Sequence, residues 1–161
     1  MKVNLLAALL LLPATACFAV ENSVSLPDNV PYYDKTIIQA NVLNECTALG
    51  SDLSTHIAEA LQQKGVTANR VAQLDASQGT TLEVQIVNLI SAGNAYFGHR
   101  KNMSVRAKIV KDGQTVGENT FTRDSMGGAF GGFKGSCSVL DRVATTLGKD
   151  IAAWYTAKQP E

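Results

Sequence analysis

The N-terminal apolar run limits which residues of this chain can fold. Met1 and Lys2 precede an unbroken apolar stretch over residues 5–12, and mostly small residues follow as far as Ala19. A short basic end, an apolar stretch of about 7–15 residues and a small-x-small site form the pattern of a cleavable signal peptide. A membrane-spanning helix needs about 20 apolar residues, which this run does not supply. Residues 1–19 are therefore predicted to be a signal peptide, and the mature chain is predicted to be periplasmic or secreted.

Two cut sites compete, and they decide whether the mature chain is free or anchored. Cys17-Phe18-Ala19 is a small-x-small site that releases a chain beginning at Val20. Residues 14–17 also resemble the lipobox of bacterial lipoproteins, in which the cysteine is acylated, although Ala14 stands where that pattern favours leucine. We expect release at Val20. The alternative is lipidation of Cys17, and only in that case is a membrane an expected partner.

The mature part has the size of one domain. It contains about 140 residues, with 13 basic and 14 acidic side chains once Lys2 is removed, for a net charge of −1. That length is enough for a well-buried core, and the charge balance argues against a nucleic-acid partner. Residues 20–34, which include Pro27 and Pro31, are predicted to form an extended lead-in. Residues 35–161 are predicted to form a single α/β domain.

Hydrophobic periodicity predicts the order strand, helix, strand, strand, strand, helix. Alternating apolar and polar residues predict strands over residues 36–43, 81–90, 103–111 and 115–122, and helical spacing predicts two helices. Asn44 and Ser138 fit the N-caps of these helices, Lys64-Gly65 fits the end of the first, and Asp112-Gly113 fits a two-residue hairpin turn. This order predicts an α/β (α+β) domain in which two helices pack on one face of a four-stranded mixed sheet.

The mature chain keeps two cysteines, Cys46 and Cys137. An even count in an exported chain favours a disulfide, and the alternation of strand directions places both helix starts at one edge of the sheet. A Cys46–Cys137 bond is therefore predicted. The alternative is a thiol-redox protein or an enzyme that uses Cys46 or Cys137, with the thiol activated at a helix start. No Cys-x-x-Cys is present, and His56 and His99 are the sole histidines. No metal and no cofactor are expected.

A glycine-rich segment precedes the last helix, and it contains Gly127, Gly128, Gly131, Gly132 and Gly135. A phosphate-binding P-loop requires Gly-Lys-Ser or Gly-Lys-Thr, whereas Lys134 here lies between Phe133 and Gly135. The nucleophile-elbow pattern Gly-x-Ser-x-Gly does not occur in the chain. We therefore assign no catalytic residue, and the sequence favours a protein that is not an enzyme.

Two interpretations of this segment remain open. In the first, the glycines only allow the backbone to pass close to the helices. In the second, backbone N–H groups and the helix start form an edge that attracts anions. Strand directions bring the predicted loop of residues 98–102 to the same edge. The candidate binding rim then consists of four basic residues, Arg100, Lys101, Arg123 and Lys134, with Tyr96 and Phe97 as stacking surface.

The element order of the mature chain, with the glycine stretch from Gly127 to Gly135 before the last helix, resembles small α/β domains of bacterial envelope proteins. These include the N-terminal domain of TolB, the lipoprotein activators of penicillin-binding proteins, and uncharacterised envelope lipoproteins with a similar glycine-rich stretch. The resemblance implies action by binding rather than by catalysis. We thus expect an exported, non-enzymatic binding or accessory module, whose partner is an envelope protein or an anionic envelope component.

Overall fold

The computed structural model describes residues 22–94, 98–126 and 134–158. Five strands form one mixed sheet, namely β1 (Ser23–Pro27), β2 (Thr67–Val71), β3 (Thr80–Asn94), β4 (Gly98–Lys111) and β5 (Gln114–Ser125). Their order in the sheet is β2-β1-β3-β4-β5. Strand β1 pairs in parallel with both β2 and β3, and β3, β4 and β5 pair in antiparallel succession. The mixed α/β class is confirmed, but the sheet has five strands rather than four.

Strand β1 corrects the predicted start of the domain. It lies within the expected lead-in, and its Val24 and Leu26 are buried in the core. The strand predicted over residues 36–43 is instead a 3-10 turn at Lys35–Ile37 followed by helix α1 at Ala40–Glu45. Ile38 and Val42 are both buried, and a spacing of four residues fits one face of a helix as well as it fits a strand. The ambiguous pattern was therefore assigned to the wrong element.

Two longer helices pack against each other and against the buried face of the sheet. They are α2 (Leu49–Gln62) and α3 (Ser136–Lys158), so the described residues form three α-helices rather than two. Gly65, with φ +76°, follows α2 as predicted. The predicted N-caps are wrong: Asn44 lies inside α1, and Ser138 lies in the first turn of α3, where its hydroxyl donates to the Gly135 carbonyl at 3.2 Å. None of the described helices combines the length and apolar character that a membrane crossing requires.

The structure contains the predicted disulfide. Cys46, directly after α1, bonds to Cys137 in the first turn of α3, and their Cα atoms are 5.3 Å apart. The topological reason also survives the correction of the first strand. Strand β1 precedes α1 and α2 and is parallel to β3, which is in turn parallel to β5, the strand before α3. The helices that follow β1 and β5 therefore start from the same edge of the sheet.

The antiparallel strands are longer than predicted. The Asp112-Gly113 turn is confirmed, with φ +49° and +80° at its two residues and Lys111 paired with Gln114. At the other end, β3 continues to Asn94 and β4 begins at Gly98. Residues 98–102, predicted to be a loop, are thus part of a strand, and the side chains of residues 100–102 alternate between the two faces of the sheet.

The two faces of the sheet differ sharply in burial. Met103, Val105, Ala107 and Ile109 of β4 are almost completely buried and belong to the core beneath the helices. The residues between them remain partly exposed on the opposite side, which we call the open face. The open face of β3, β4 and β5 carries mainly polar and charged side chains, among them Glu83, Gln85, Ser104, Arg106, Lys108, Glu118, Thr120 and Thr122.

Candidate functional site

The predicted rim of basic residues does not form as one surface. Arg100 and Lys101 are neighbours on β4, so their side chains leave opposite faces of the sheet. Arg100 is exposed, whereas Lys101 is only 1% exposed, in the same row as the core residue Met103. Within the described part of the chain, Lys101 Nζ donates one hydrogen bond, to the Ala92 carbonyl at 3.3 Å. Lys101 is therefore removed from the candidate rim.

Arg123 is also engaged elsewhere. Its Nε and Nη2 donate to the two carboxylate oxygens of Asp150 in α3, at 2.6 and 3.0 Å. These bonds and the negative charge of Asp150 raise the pKa of Arg123. A bidentate pair of this kind links β5 to α3. We therefore assign Arg123 to the packing of the last helix rather than to ligand binding.

The rest of the predicted rim can be followed only in part. Tyr96, Phe97, Gly127, Gly128, Gly131 and Gly132 lie outside the described residues, as do the predicted signal peptide and Cys17. Gly135 is described and immediately precedes α3, and a Cβ there would meet no described atom within 4 Å apart from its chain neighbours. Lys134 is partly buried and already interacts with another group. Of the four basic residues, Arg100 alone is an exposed cation that no described carboxylate pairs.

The burial of Lys101 gives a testable expectation. Burial lowers the pKa of its ammonium group, so in the folded state the lysine binds a proton less readily than in the unfolded chain. Below the pKa of the folded state, the buried charge therefore destabilises the folded protein by its full amount. This destabilisation disappears as the pH rises to about 10.4, the ordinary lysine value. Lys101→Met should raise the free energy of unfolding by about 1 kcal/mol at neutral pH. Urea unfolding of both proteins checks this, and the difference should narrow in alkaline buffer.

A groove on the open face gathers the charged residues that the helices leave uncovered. It has a volume of about 310 Å³ and is lined by Tyr33, Glu83, Gln85, Arg106, Lys108 and Glu118. Strand register sets its layout, because Lys108 is opposite Glu83 on β3 and Glu118 on β5, and Arg106 is opposite Gln85 and Thr120. Lys108 Nζ bonds to Glu83 Oε2 at 2.7 Å, so these two charges satisfy each other.

Arg106 is the one strongly basic group of this groove that lacks a carboxylate partner among the described residues. Its Cζ lies 4.9 Å from the centre of the Tyr33 ring. Its Nε is shielded from solvent and has no hydrogen-bond partner in the described structure. A guanidinium has five N–H donors in a planar fork, and that fork matches a carboxylate or a phosphate. The arrangement therefore presents an oriented cation to an anionic group.

The segment after β1 places Tyr33 over this groove. Tyr33 N donates to the Ile86 carbonyl at 2.9 Å, and Ile86 N donates to the Pro31 carbonyl at 2.9 Å. The chain from Pro31 to Tyr33 thus continues the line of β1 and pairs in parallel with β3, through a bridge between Tyr32 and Ile86. These backbone bonds fix the ring against which Arg106 stacks. The residues predicted to be an unpacked lead-in therefore contribute directly to the candidate site.

His56 belongs to a helix contact and not to this groove. Its Nε2 lies 2.8 Å from Asp141 Oδ1 and 3.3 Å from Thr145 Oγ1, both on α3. The side chain is 21% exposed, so it lies at the boundary between the helix contact and solvent. In the described ranges, no three histidine, cysteine or acidic residues are grouped as a metal site would require.

Comparison with solved structures relates the fold to small bacterial proteins. A Xanthomonas campestris protein assigned to the family model DUF330 matches with TM-score 0.56 and 14% identity, over 94% of this chain and 93% of that one. PelC from Paraburkholderia phytofirmans, described as a dodecamer, matches with TM-score 0.52 and 15% identity, over 81% and 87%. A minor lipoprotein from Acinetobacter baumannii reaches only 0.45, with 15% identity over 84% and 94%.

The predicted resemblance to small α/β domains of bacterial envelope proteins is confirmed for the fold. No protein-family model and no curated protein matches the chain. At identities of 14–15%, these structural matches do not allow the role of any residue to be transferred to this chain. The function is therefore argued from the groove itself.

Proposed function

We propose that this protein is an exported, non-enzymatic binding or accessory module of the bacterial cell envelope. Its binding site is the groove on the open face, and Arg106 is the group that contacts an anionic component or the acidic side chain of a protein partner. The observation that carries this proposal is the combination at Arg106 of a stacked ring, a shielded Nε without a partner, and no described carboxylate.

Physical chemistry favours an anionic ligand at this position. A buried donor without a partner costs about 1–3 kcal/mol, so a native structure that keeps one usually has a reason for it. Stacking on Tyr33 restricts the guanidinium before any ligand arrives, which lowers the entropy lost on binding. Hydrogen bonds to a charged acceptor are also about twice as strong as those between neutral groups. An incoming carboxylate or phosphate would accept hydrogen bonds from the guanidinium N–H groups that face the groove and neutralise the charge of Arg106.

The alternative function, a thiol-redox protein or an enzyme based on Cys46 or Cys137, loses its principal support. Both sulfur atoms are joined in one bond in the structure, so neither is present as a thiolate. A thiolate is the reactive form of cysteine. Thiol titration of the denatured, non-reduced mature protein should find no free thiol, and two free thiols per chain would restore this alternative.

The proposed function predicts binding that depends on Arg106. The mature protein, beginning at Val20, is titrated with N-acetylalanine as a carboxylate probe and glycerol phosphate as a phosphate probe, at low and high salt. We expect saturable binding that salt weakens, because screening at an exposed groove acts over about 8–10 Å. Arg106→Gln should reduce the affinity at least about tenfold, equivalent to about 1.4 kcal/mol.

Arg100→Gln is the matched control, since it removes the same charge from the same strand but outside the groove. It should leave the affinity unchanged. Binding that survives Arg106→Gln contradicts the proposal. Loss of binding with Arg100→Gln alone would instead support the rim at the end of the β3–β4 hairpin.

A further inference from the structure

We infer that the groove binds a zwitterionic ligand, namely a dipeptide with both ends free, with its carboxylate at Arg106 and its ammonium group at Glu118. This inference rests on the proposed function, because it uses the same groove and the same arginine. It adds a second recognition point and names the chemical class of the ligand.

The charges of the groove separate into one satisfied pair and two unpaired groups. Lys108 and Glu83 form a salt bridge at 2.7 Å, and both side chains are about one-third exposed. Glu118 is exposed and lies opposite Lys108 in the strand register, but Lys108 directs its Nζ to Glu83. Among the described residues, Glu118 forms no salt bridge. The groove thus presents one available cation, Arg106, and one available anion, Glu118.

The strand register sets the spacing of these two groups. Arg106 pairs with Thr120 and Lys108 pairs with Glu118, so Arg106 and Glu118 are diagonal neighbours on the same face of β4 and β5. Diagonal neighbours in an antiparallel pair are about 7–8 Å apart at Cα, and long side chains reach across that distance. An extended dipeptide spans about 7 Å, at 3.3–3.6 Å per residue, so its two terminal charges match this separation, whereas a single amino acid is too short. The Gln85 amide lines the same groove beside Arg106, on the side away from β5.

Charge complementarity then discriminates between ligands. A ligand with only a negative charge meets Arg106 but is repelled by Glu118, and a ligand with only a positive charge is repelled by Arg106. A zwitterion satisfies both groups and leaves neither charge facing a like charge. The groove volume of about 310 Å³ also lies at the lower end of the range for small-molecule sites. The site therefore favours a small ligand with two opposite charges over a ligand that carries only one of them.

The test compares three forms of one dipeptide, each titrated into the mature protein: free Ala-Ala, N-acetyl-Ala-Ala, and Ala-Ala amide. The free dipeptide should bind roughly tenfold more tightly than either blocked form, a difference of about 1.4 kcal/mol. Glu118→Gln should abolish the preference for the free dipeptide over the acetylated form. Arg106→Gln should abolish the preference over the amide. Glu45→Gln, which changes an exposed glutamate outside the groove, is the matched control and should alter neither preference.

The outcomes separate the two proposals. If the acetylated and free dipeptides bind equally and both depend on Arg106, the zwitterion inference is overturned and anion binding at the groove stands. If the amide binds as well as the free dipeptide and Arg106→Gln has no effect on any form, both proposals fail. A free-dipeptide preference that needs both Arg106 and Glu118 is the result that supports the inference.

Discussion

Replacing Cys46 with serine should lower the free energy of unfolding by up to about 4–5 kcal/mol, the largest single effect we expect in this protein. The bond joins residues separated by 91 positions, so it closes a long loop in the unfolded chain and removes much of that chain's conformational entropy. Cys137→Ser should have the same effect, because either change removes the same bond. Thermal and urea unfolding of the non-reduced proteins measure both losses.

The double variant Cys46→Ser with Cys137→Ser provides the control. If the two cysteines share one bond, removing the second cysteine should have little further effect. The free energy of unfolding of the double variant should then lie within a few tenths of a kcal/mol of that of the less stable single variant. Losses that simply add would show that the two residues act independently. The parent protein under reducing conditions should unfold like the double variant.

Gly148→Ala should destabilise the protein by about 1–3 kcal/mol, although alanine in a helix normally stabilises by about 1 kcal/mol relative to glycine. Gly148 lies in α3 where that helix packs against His56 of α2. A Cβ at this position would be 2.8 Å from the backbone carbonyl carbon of His56 and 2.9 Å from its carbonyl oxygen. The helices would have to move apart, because backbone atoms cannot rotate away. Urea unfolding of the variant measures the sign and the size of the effect.

Two further variants make this expectation specific. Gly135→Ala adds a methyl group that meets no described atom within 4 Å apart from its chain neighbours, so its effect on stability should be small. His56→Ala combined with Gly148→Ala should not restore stability, because the closest contacts are to the backbone of His56 and remain when its side chain is shortened. A Gly148→Ala protein as stable as the parent would contradict the close helix packing.

The sequence was informative where a pattern had one structural solution. The Asp112-Gly113 turn requires positive φ at both residues, and it forms as predicted. The disulfide was predicted correctly although the first strand was placed wrongly. This succeeded because the true strand, Ser23–Pro27, also precedes the first helices and has the direction that the argument required. Its alternation of Ser23 and Ser25 with Val24 and Leu26 was a usable signal.

The candidate site was harder to predict because it depends on where strands end. Gly93 and Asn94 are residues that usually interrupt strands, yet the β3–β4 ladder continues through both to the pair Asn94 and Gly98. Once residues 98–102 are strand, alternation must direct Lys101 into the core and Arg100 away from it. The outward position of Arg106 and Lys108 follows from the periodicity of β4. The position of Tyr33 beside Arg106 does not follow from the sequence, because that contact depends on the pairing of residues 31–33 with Ile86.

The central claim is that the open face, through Arg106, is where this protein binds. Its most direct measurement is NMR titration of the isotope-labelled mature protein with free Ala-Ala, which reports every affected amide at once. The account predicts that shifts concentrate at Tyr33, Gln85, Arg106 and Glu118, on three neighbouring strands and the segment beside them, and that they vanish in Arg106→Gln. Shifts confined to residues 98–102 and the start of α3, with the groove residues unchanged, would contradict it.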